Sequence, residues 1–231
     1  MKRLLSALCA LLLFIPALAS ANAPALRGYD EEAGYQYVAM GMYPQELDGN
    51  ARPILWRVLT VRSGVAYLLS EYILGNGYVH PDDKEFVAFG QEWNKTFLFA
   101  RLNGEFAQAA FTQAERARVR DDLELGAVFL ADSDDLRNPA YGFTNNASRM
   151  GYGTPYALAN GLFRYNNGSS PYWTRTPSEV MTSGVRCLKI DGSIGYIRCV
   201  VKNEGFRPAI WLKLNEAFAG GQGTFDDPFY F

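Results

Sequence analysis

From Asp132 to Tyr172 the chain loses any apolar period, of strand or helix type, and becomes dense in Gly, Asn, Tyr and Ser. A stretch of about 40 residues without such a pattern is uncommon inside a compact domain, where it serves function or is disordered. Tyr141, Phe143, Tyr152, Tyr156, Phe163 and Tyr165 argue against disorder, because disordered segments are poor in aromatics. The regular elements must then lie on the flanks and hold this segment between them. The expected class is α+β, with antiparallel sheets, two or more short helices and a long irregular loop region.

The flanks carry those elements. Tyr35 to Met42 reads as a first strand, closed by Pro44. Ile54–Val61 and Val65–Ser70 are rich in Val, Leu and aromatics and flank Arg62-Ser63-Gly64, the composition of a hairpin. Leu98, Leu102 and Phe106 recur at a spacing of four and so share one helical face, which Gly104 weakens midway. Thr112-Gln113-Ala114-Glu115 has the form of a capping box, and Ala127–Ala131 is a candidate buried strand. Beyond the irregular segment, Val185–Ile190 and Gly195–Val201 form a second hairpin around Asp191-Gly192-Ser193, and Pro208–Leu214 is a last strand.

The amino terminus has the layout of a cleavable secretory signal peptide. Lys2 and Arg3 precede an apolar run from Leu4 to Ile15, Pro16 breaks it, and two A-x-A frames follow, Ala19-Ser20-Ala21 and Ala21-Asn22-Ala23. Cleavage after Ala23 leaves residues 24–231 as a single α+β domain, exported to the periplasm or the exterior. The run is too short to cross a bilayer, which needs about 20 residues, and no later segment is long enough, so no membrane span is expected. Cys9 lies within the run and follows Leu8 rather than a small residue, which reads against a lipid anchor. The net charge of −2 becomes more acidic once Lys2 and Arg3 are removed, which argues against nucleic acid or anionic lipid as partner.

Cys187 and Cys199 are then the remaining cysteines, and an even pair in an exported chain reads as a disulfide. A loop of Gly192–Ile194 would set Asp191 opposite Gly195 and Cys187 opposite Cys199, so that the bridge staples the hairpin. Closing such a loop contributes roughly 3 kcal/mol in the chain-entropy model, a stabilising rather than a redox role.

Tyr172-Trp173-Thr174-Arg175-Thr176-Pro177 and Gly205-Phe206-Arg207-Pro208-Ala209-Ile210-Trp211-Leu212 stand out as motifs. Together with Met42-Tyr43-Pro44-Gln45 and Pro53-Ile54-Leu55-Trp56-Arg57-Val58-Leu59, they resemble a bacterial family catalogued as domain of unknown function six-two-seven-three. Thr174 stands where that family usually has Leu, and Phe206 where it usually has Val. The Gly-Phe-Arg ending after a Trp-bearing hairpin is also similar to the close of C-type-lectin-like folds, including sulfatase-modifying factors. That resemblance implies a C-type-lectin-like frame with the irregular region displayed on one face, and it leaves function open. From the residues themselves, Arg175 and Arg207 each set a five-donor fork beside a Pro-restricted backbone, suited to carbonyls or a buried carboxylate, and Trp173 and Trp211 read first as core aromatics, with Trp173 and Arg175 facing a ligand as the alternative.

Chemistry in the sequence is sparse. His80 is the only histidine, in a polar loop with Asp82, Asp83 and Glu85, and no nucleophile elbow accompanies it. That loop and Asp132, Asp134 and Asp135 lack calcium-loop spacing, so neither a metal nor a cofactor is expected. The leading reading is a non-catalytic binding module for an envelope or extracellular ligand, glycan or protein. Its expected surface is Tyr152, Tyr156, Tyr165, Asn166, Asn167, Trp173 and Arg175, since Tyr and Trp give rigid contact area and Asn adaptable hydrogen bonds. The alternatives are an envelope hydrolase or modifying enzyme using carboxylates of the His80 or Asp132 loops, and a purely structural envelope domain.

Overall fold

Strands β1 (Tyr37–Pro44), β2 (Ala51–Arg62) and β3 (Val65–Ser70) follow one another as antiparallel neighbours. Ile54, Trp56 and Val58 of β2 are buried at the strand period, while Leu55 and Arg57 between them are half-buried. Ser63 and Gly64 both take positive φ, 47° and 76°, between the paired Arg62 and Val65. That is the two-residue turn whose twist matches the flanking strands, and it explains why Gly stands at this point of the hairpin.

The computed structural model describes residues 25–231. The expected signal peptide and Cys9 lie outside the described residues. Further strands are β4 (Gly75–Asn76), β5 (Phe129–Leu130), β6 (Tyr172–Pro177), β7 (Gly184–Leu188), β8 (Ile194–Arg198), β9 (Gly205–Phe206) and β10 (Pro208–Lys213). Among the described residues they build two five-stranded sheets, ordered β1-β2-β3-β10-β5 and β4-β9-β6-β7-β8. Pairing is antiparallel except where Tyr172 of β6 meets Gly205 of β9. The class is therefore α+β with antiparallel sheets, as the sequence implies, and one apolar core runs through both sheets.

Arg207 sits where the chain leaves one sheet and enters the other, between β9 and β10. Its buried guanidinium donates from Nε to the Ser70 carbonyl at 2.7 Å, where β3 ends, and lies 5.5 Å from the Tyr172 ring centre, where β6 begins. Nearby, Arg57 grips Glu71 through two hydrogen bonds of 2.8 and 2.6 Å. Burial alone would raise the Glu71 acid, but Arg57 and, to a lesser degree, Arg207 hold it below the ordinary carboxylate value. The Gly-Phe-Arg-Pro motif is thus a stitch between the sheets.

The helices are short. Helix α1 (Asp83–Ala88) is capped by the Asp82 carboxylate. Helix α2 (Phe97–Arg101) passes through a widened π-turn, Leu102–Phe106, into α3 (Ala107–Ala110). Leu98, Leu102 and Phe106 all remain buried, and Gly104 lies within the widened turn. Helix α4 (Gln113–Arg118) begins with the expected capping box of Thr112 and Glu115. The second Glu115 oxygen accepts the Gly41 N–H at 2.8 Å, at the bulge where β1 slips register against β2. Thr112→Ala should therefore lower stability by about 1 kcal/mol. A urea midpoint unchanged from the parent would refute that role for the cap.

The second hairpin departs from the expected register. Cys187 pairs with Gly195, not Cys199, and the last ladder pair is Leu188 with Ile194. The loop runs from Lys189 to Ser193, closed by a bond from the Lys189 N–H to the Ser193 carbonyl at 2.8 Å. Ile190 leaves the strand direction, and its carbonyl accepts the Ser169 hydroxyl at 2.6 Å. Cys199 falls four positions beyond Gly195, about 13 Å along a strand at about 3.3 Å per residue. That exceeds the reach of a disulfide, and both buried cysteines are free. The expected disulfide is therefore corrected.

Between β5 and β6 the irregular segment folds into single turns, Asp135–Arg137 and Pro139–Tyr141, and helices α5 (Asn146–Arg149) and α6 (Pro155–Ala159). Isolated bridges tie Gly151 to Ser170 and Gly153 to Ile73. Tyr141 and Phe143 join the core, whereas Tyr152, Phe163 and Tyr165 stay exposed. Among the described residues no helix is long and apolar enough to cross a membrane.

Candidate functional site

The residues nominated from the sequence divide into two groups. Tyr152 and Tyr165 are 45% and 46% exposed, Asn166 and Asn167 are exposed, and Tyr156 is half-buried. Trp173 is only 1% exposed and donates from Nε1 to the Gly77 carbonyl at 2.7 Å, so it belongs to the core, as its motif reads, and not to the binding surface. Arg175 is likewise committed inward. It donates to the Leu130 carbonyl at 2.8 Å and lies 3.5 Å from the carboxylates of Asp132 and Asp135. Asp135 also accepts the Tyr67 hydroxyl at 2.9 Å, and Asp132 accepts the Asp134 N–H at 2.9 Å.

The His80 loop is committed in the same way. His80 is buried between Phe86 and Phe89, with Nδ1 3.0 Å from the Asp82 carbonyl. Asp82 caps α1, and Asp83 meets both Arg198 and the Cys199 thiol. Among the described residues no three His, Cys, Asp or Glu side chains are grouped so as to hold a metal ion.

A different place collects unspent chemistry. A cavity of about 340 Å³ opens on the hairpin side of the second sheet, walled by Phe163, Pro171, Cys187, Ile190, Ile197 and Glu204, with Lys189, Tyr196 and Asn203 completing it. The elements around it are firmly tied. The Phe163 N–H donates to the Asn203 carbonyl at 3.0 Å, the Gly77 N–H to the Glu204 carbonyl at 3.1 Å, and the Gly205 N–H to the Pro171 carbonyl at 3.0 Å. The backbone of Glu204 is thereby fixed between β4 and the loop that precedes β6.

The Glu204 side chain is 7% exposed, and its Oε2 is buried without a hydrogen-bond partner. Buried polar groups are nearly always paired, and an unpaired one marks strain or a function. Burial pushes the Glu204 acid up to about 7. The neighbouring Cys187 thiol is pushed up to about 12, by burial and then by the Glu204 charge, with Lys189 opposing. Phe163 and Tyr196, which also line the cavity, are exposed.

A carboxyl that titrates near neutrality is suited to proton transfer. It also needs a reactive neighbour, and the thiol beside it stays protonated and non-nucleophilic. The arrangement has features of a binding site: a mainly apolar lining, two exposed aromatic residues and one buried acid able to accept or donate a hydrogen bond. Glu204 was not nominated from the sequence because Lys202-Asn203-Glu204-Gly205 reads as a solvated polar turn. The one local signal is its place immediately before the Gly-Phe-Arg-Pro stitch, where a polar side chain enters a buried strand pair.

Residues 124–214 match a family model described as Domain of unknown function (DUF6273). The matched span runs from just before β5 to the end of β10 and contains the whole wall of the cavity. No curated protein and no solved structure matches the chain.

Proposed function

We propose that this chain is an exported, non-catalytic ligand-binding module, and that an envelope or extracellular ligand, glycan or protein, places a group in the Glu204 cavity. The observation that carries this reading is a buried carboxyl without a partner, at a cavity lined by two exposed aromatic residues. Tyr165, Asn166 and Asn167 follow Phe163 in the same loop and are exposed. A C-type-lectin-like frame is part of the same proposal. It is supported by two small sheets that carry a long irregular segment between β5 and β6. Export rests on the leader-like residues 1–23.

Binding to an array of glycans, peptidoglycan fragments and envelope proteins tests the reading. Phe163→Ala and Tyr196→Ala should each weaken the signal by about tenfold, the loss typical of an aromatic anchor. An array with no signal, or a signal indifferent to both substitutions, would sink the module reading.

A further inference from the structure

The reading of the cavity as a binding site leaves its ligand chemistry open, and the walls narrow it. Glu204 is the acid among the cavity's ionisable groups, the others being Cys187, Lys189 and Tyr196. A carboxylate taken out of water is costly unless a cation or several donors meet it. The protein supplies none to Oε2, which is closed to solvent in this structure and meets a ligand in the cavity through a rotation of the side chain. Lys189 does not fill that role. Its side chain is exposed and lies across Gly195, where an added Cβ would meet Lys189 Cε at 2.2 Å. Glu204, Cys187 and Lys189 all line the cavity, and no salt bridge joins Lys189 to Glu204 Oε2.

Resting on the module reading, we infer that the cavity takes a small primary amine, of amino-acid or amino-sugar size, whose ammonium group seats on the Glu204 carboxylate. A neutral hydroxyl could hydrogen-bond there but would leave the buried charge uncompensated. An ammonium neutralises it, and Phe163 and Tyr196 add aromatic lining to which a cation is attracted. Lys189 opposes the cation only weakly, because its charge is exposed and screened by water and salt. The same Lys189 is placed to meet the carboxylate of an amino acid, which an amino sugar lacks. Seating the amine on a protonated Glu204 releases one proton to solvent and makes no covalent change. Affinity should therefore fall as pH drops below the value at which the carboxyl ionises, by about tenfold per unit.

The test is isothermal titration of the full chain with glucosamine and alanine, each against its N-acetylated counterpart, which has the same skeleton without the positive charge. Each amine should bind at least about tenfold more tightly than its acetylated form, a difference of about one pKa unit in free energy. Glu204→Gln should erase that preference, and the wild-type preference should shrink on acidification. Retention of alanine over glucosamine that disappears in Lys189→Ala identifies the amino acid as the source of the amine. Equal binding of the acetylated forms, or a preference that survives Glu204→Gln, overturns the inference. If an array ligand still depends on Phe163 and Tyr196 in that case, the module reading stands and only the amine is wrong. If nothing binds the intact chain, both fall together.

Discussion

Trp173→Ala is expected to lower the free energy of unfolding by about 3–5 kcal/mol, the range for emptying a buried Trp site. That is a large part of the roughly 5–15 kcal/mol by which a domain is stable. Trp173 lies on β6, the middle strand of the β4-β9-β6-β7-β8 sheet, and pairs there with Cys187. Its removal opens a void and also leaves the Gly77 carbonyl without the indole donor. Urea unfolding followed by circular dichroism gives the change directly. Tyr165→Ala, at an exposed position of the loop, should alter stability by no more than about 0.5 kcal/mol. A Trp173→Ala protein that is as stable as the parent yet has lost its ligand would return Trp173 to the binding surface. The expected pattern is the reverse, in which Tyr165 is dispensable for folding and Trp173 is not.

That pattern also marks where the sequence was readable. Trp173 reads as core because large aromatics are the main core material, but its neighbours Tyr165 and Asn167 are exposed, and their sequence alone does not say which aromatic of the segment turns outward. Tertiary pairing decides it: Tyr172 and Trp173 are ladder residues of β6, whereas Tyr165 lies in a turn closed by its N–H on the Ser169 carbonyl. The β2–β3 hairpin, the capping box at Thr112 and the Leu98–Phe106 face were legible because each is set by contacts within a few residues. The β7–β8 register was not. Short strands at the rim of a sheet carry a weak alternation, and setting Cys opposite Cys imposed a tighter loop than the Ile190 carbonyl and the Ser169 hydroxyl allow. Glu204 was hidden because no residue near it in sequence buries it. Its burial depends on chain from Gly77, Phe163 and Pro171, remote in sequence.

Glu204→Gln is expected to raise stability by about 2–3 kcal/mol near pH 8 and to leave it unchanged near pH 4. Burial raises the native acid from an ordinary 4.5 to about 7. Between those two values the folded chain holds a proton that the unfolded chain has released, so wild-type stability falls as pH rises through the native value and is flat above it. Glutamine is isosteric and always neutral, and its buried amide faces the same lack of partners as the protonated acid, so those costs cancel in the comparison. The difference between the two unfolding curves isolates Glu204 from Glu71. The Glu71 acid is lowered despite its burial, and its contribution has the opposite sense, present above the unfolded value and lost as pH falls. Urea unfolding of both proteins across this range should give a difference that climbs from zero to a plateau above neutrality, and a flat difference would mean that water or a donor reaches the carboxylate. A side chain that weakens the fold at neutral pH, where Gln would not, is the signature of a group retained for binding rather than stability. A bound amine should cancel the deficit, raising wild-type stability with increasing pH while leaving Glu204→Gln unmoved.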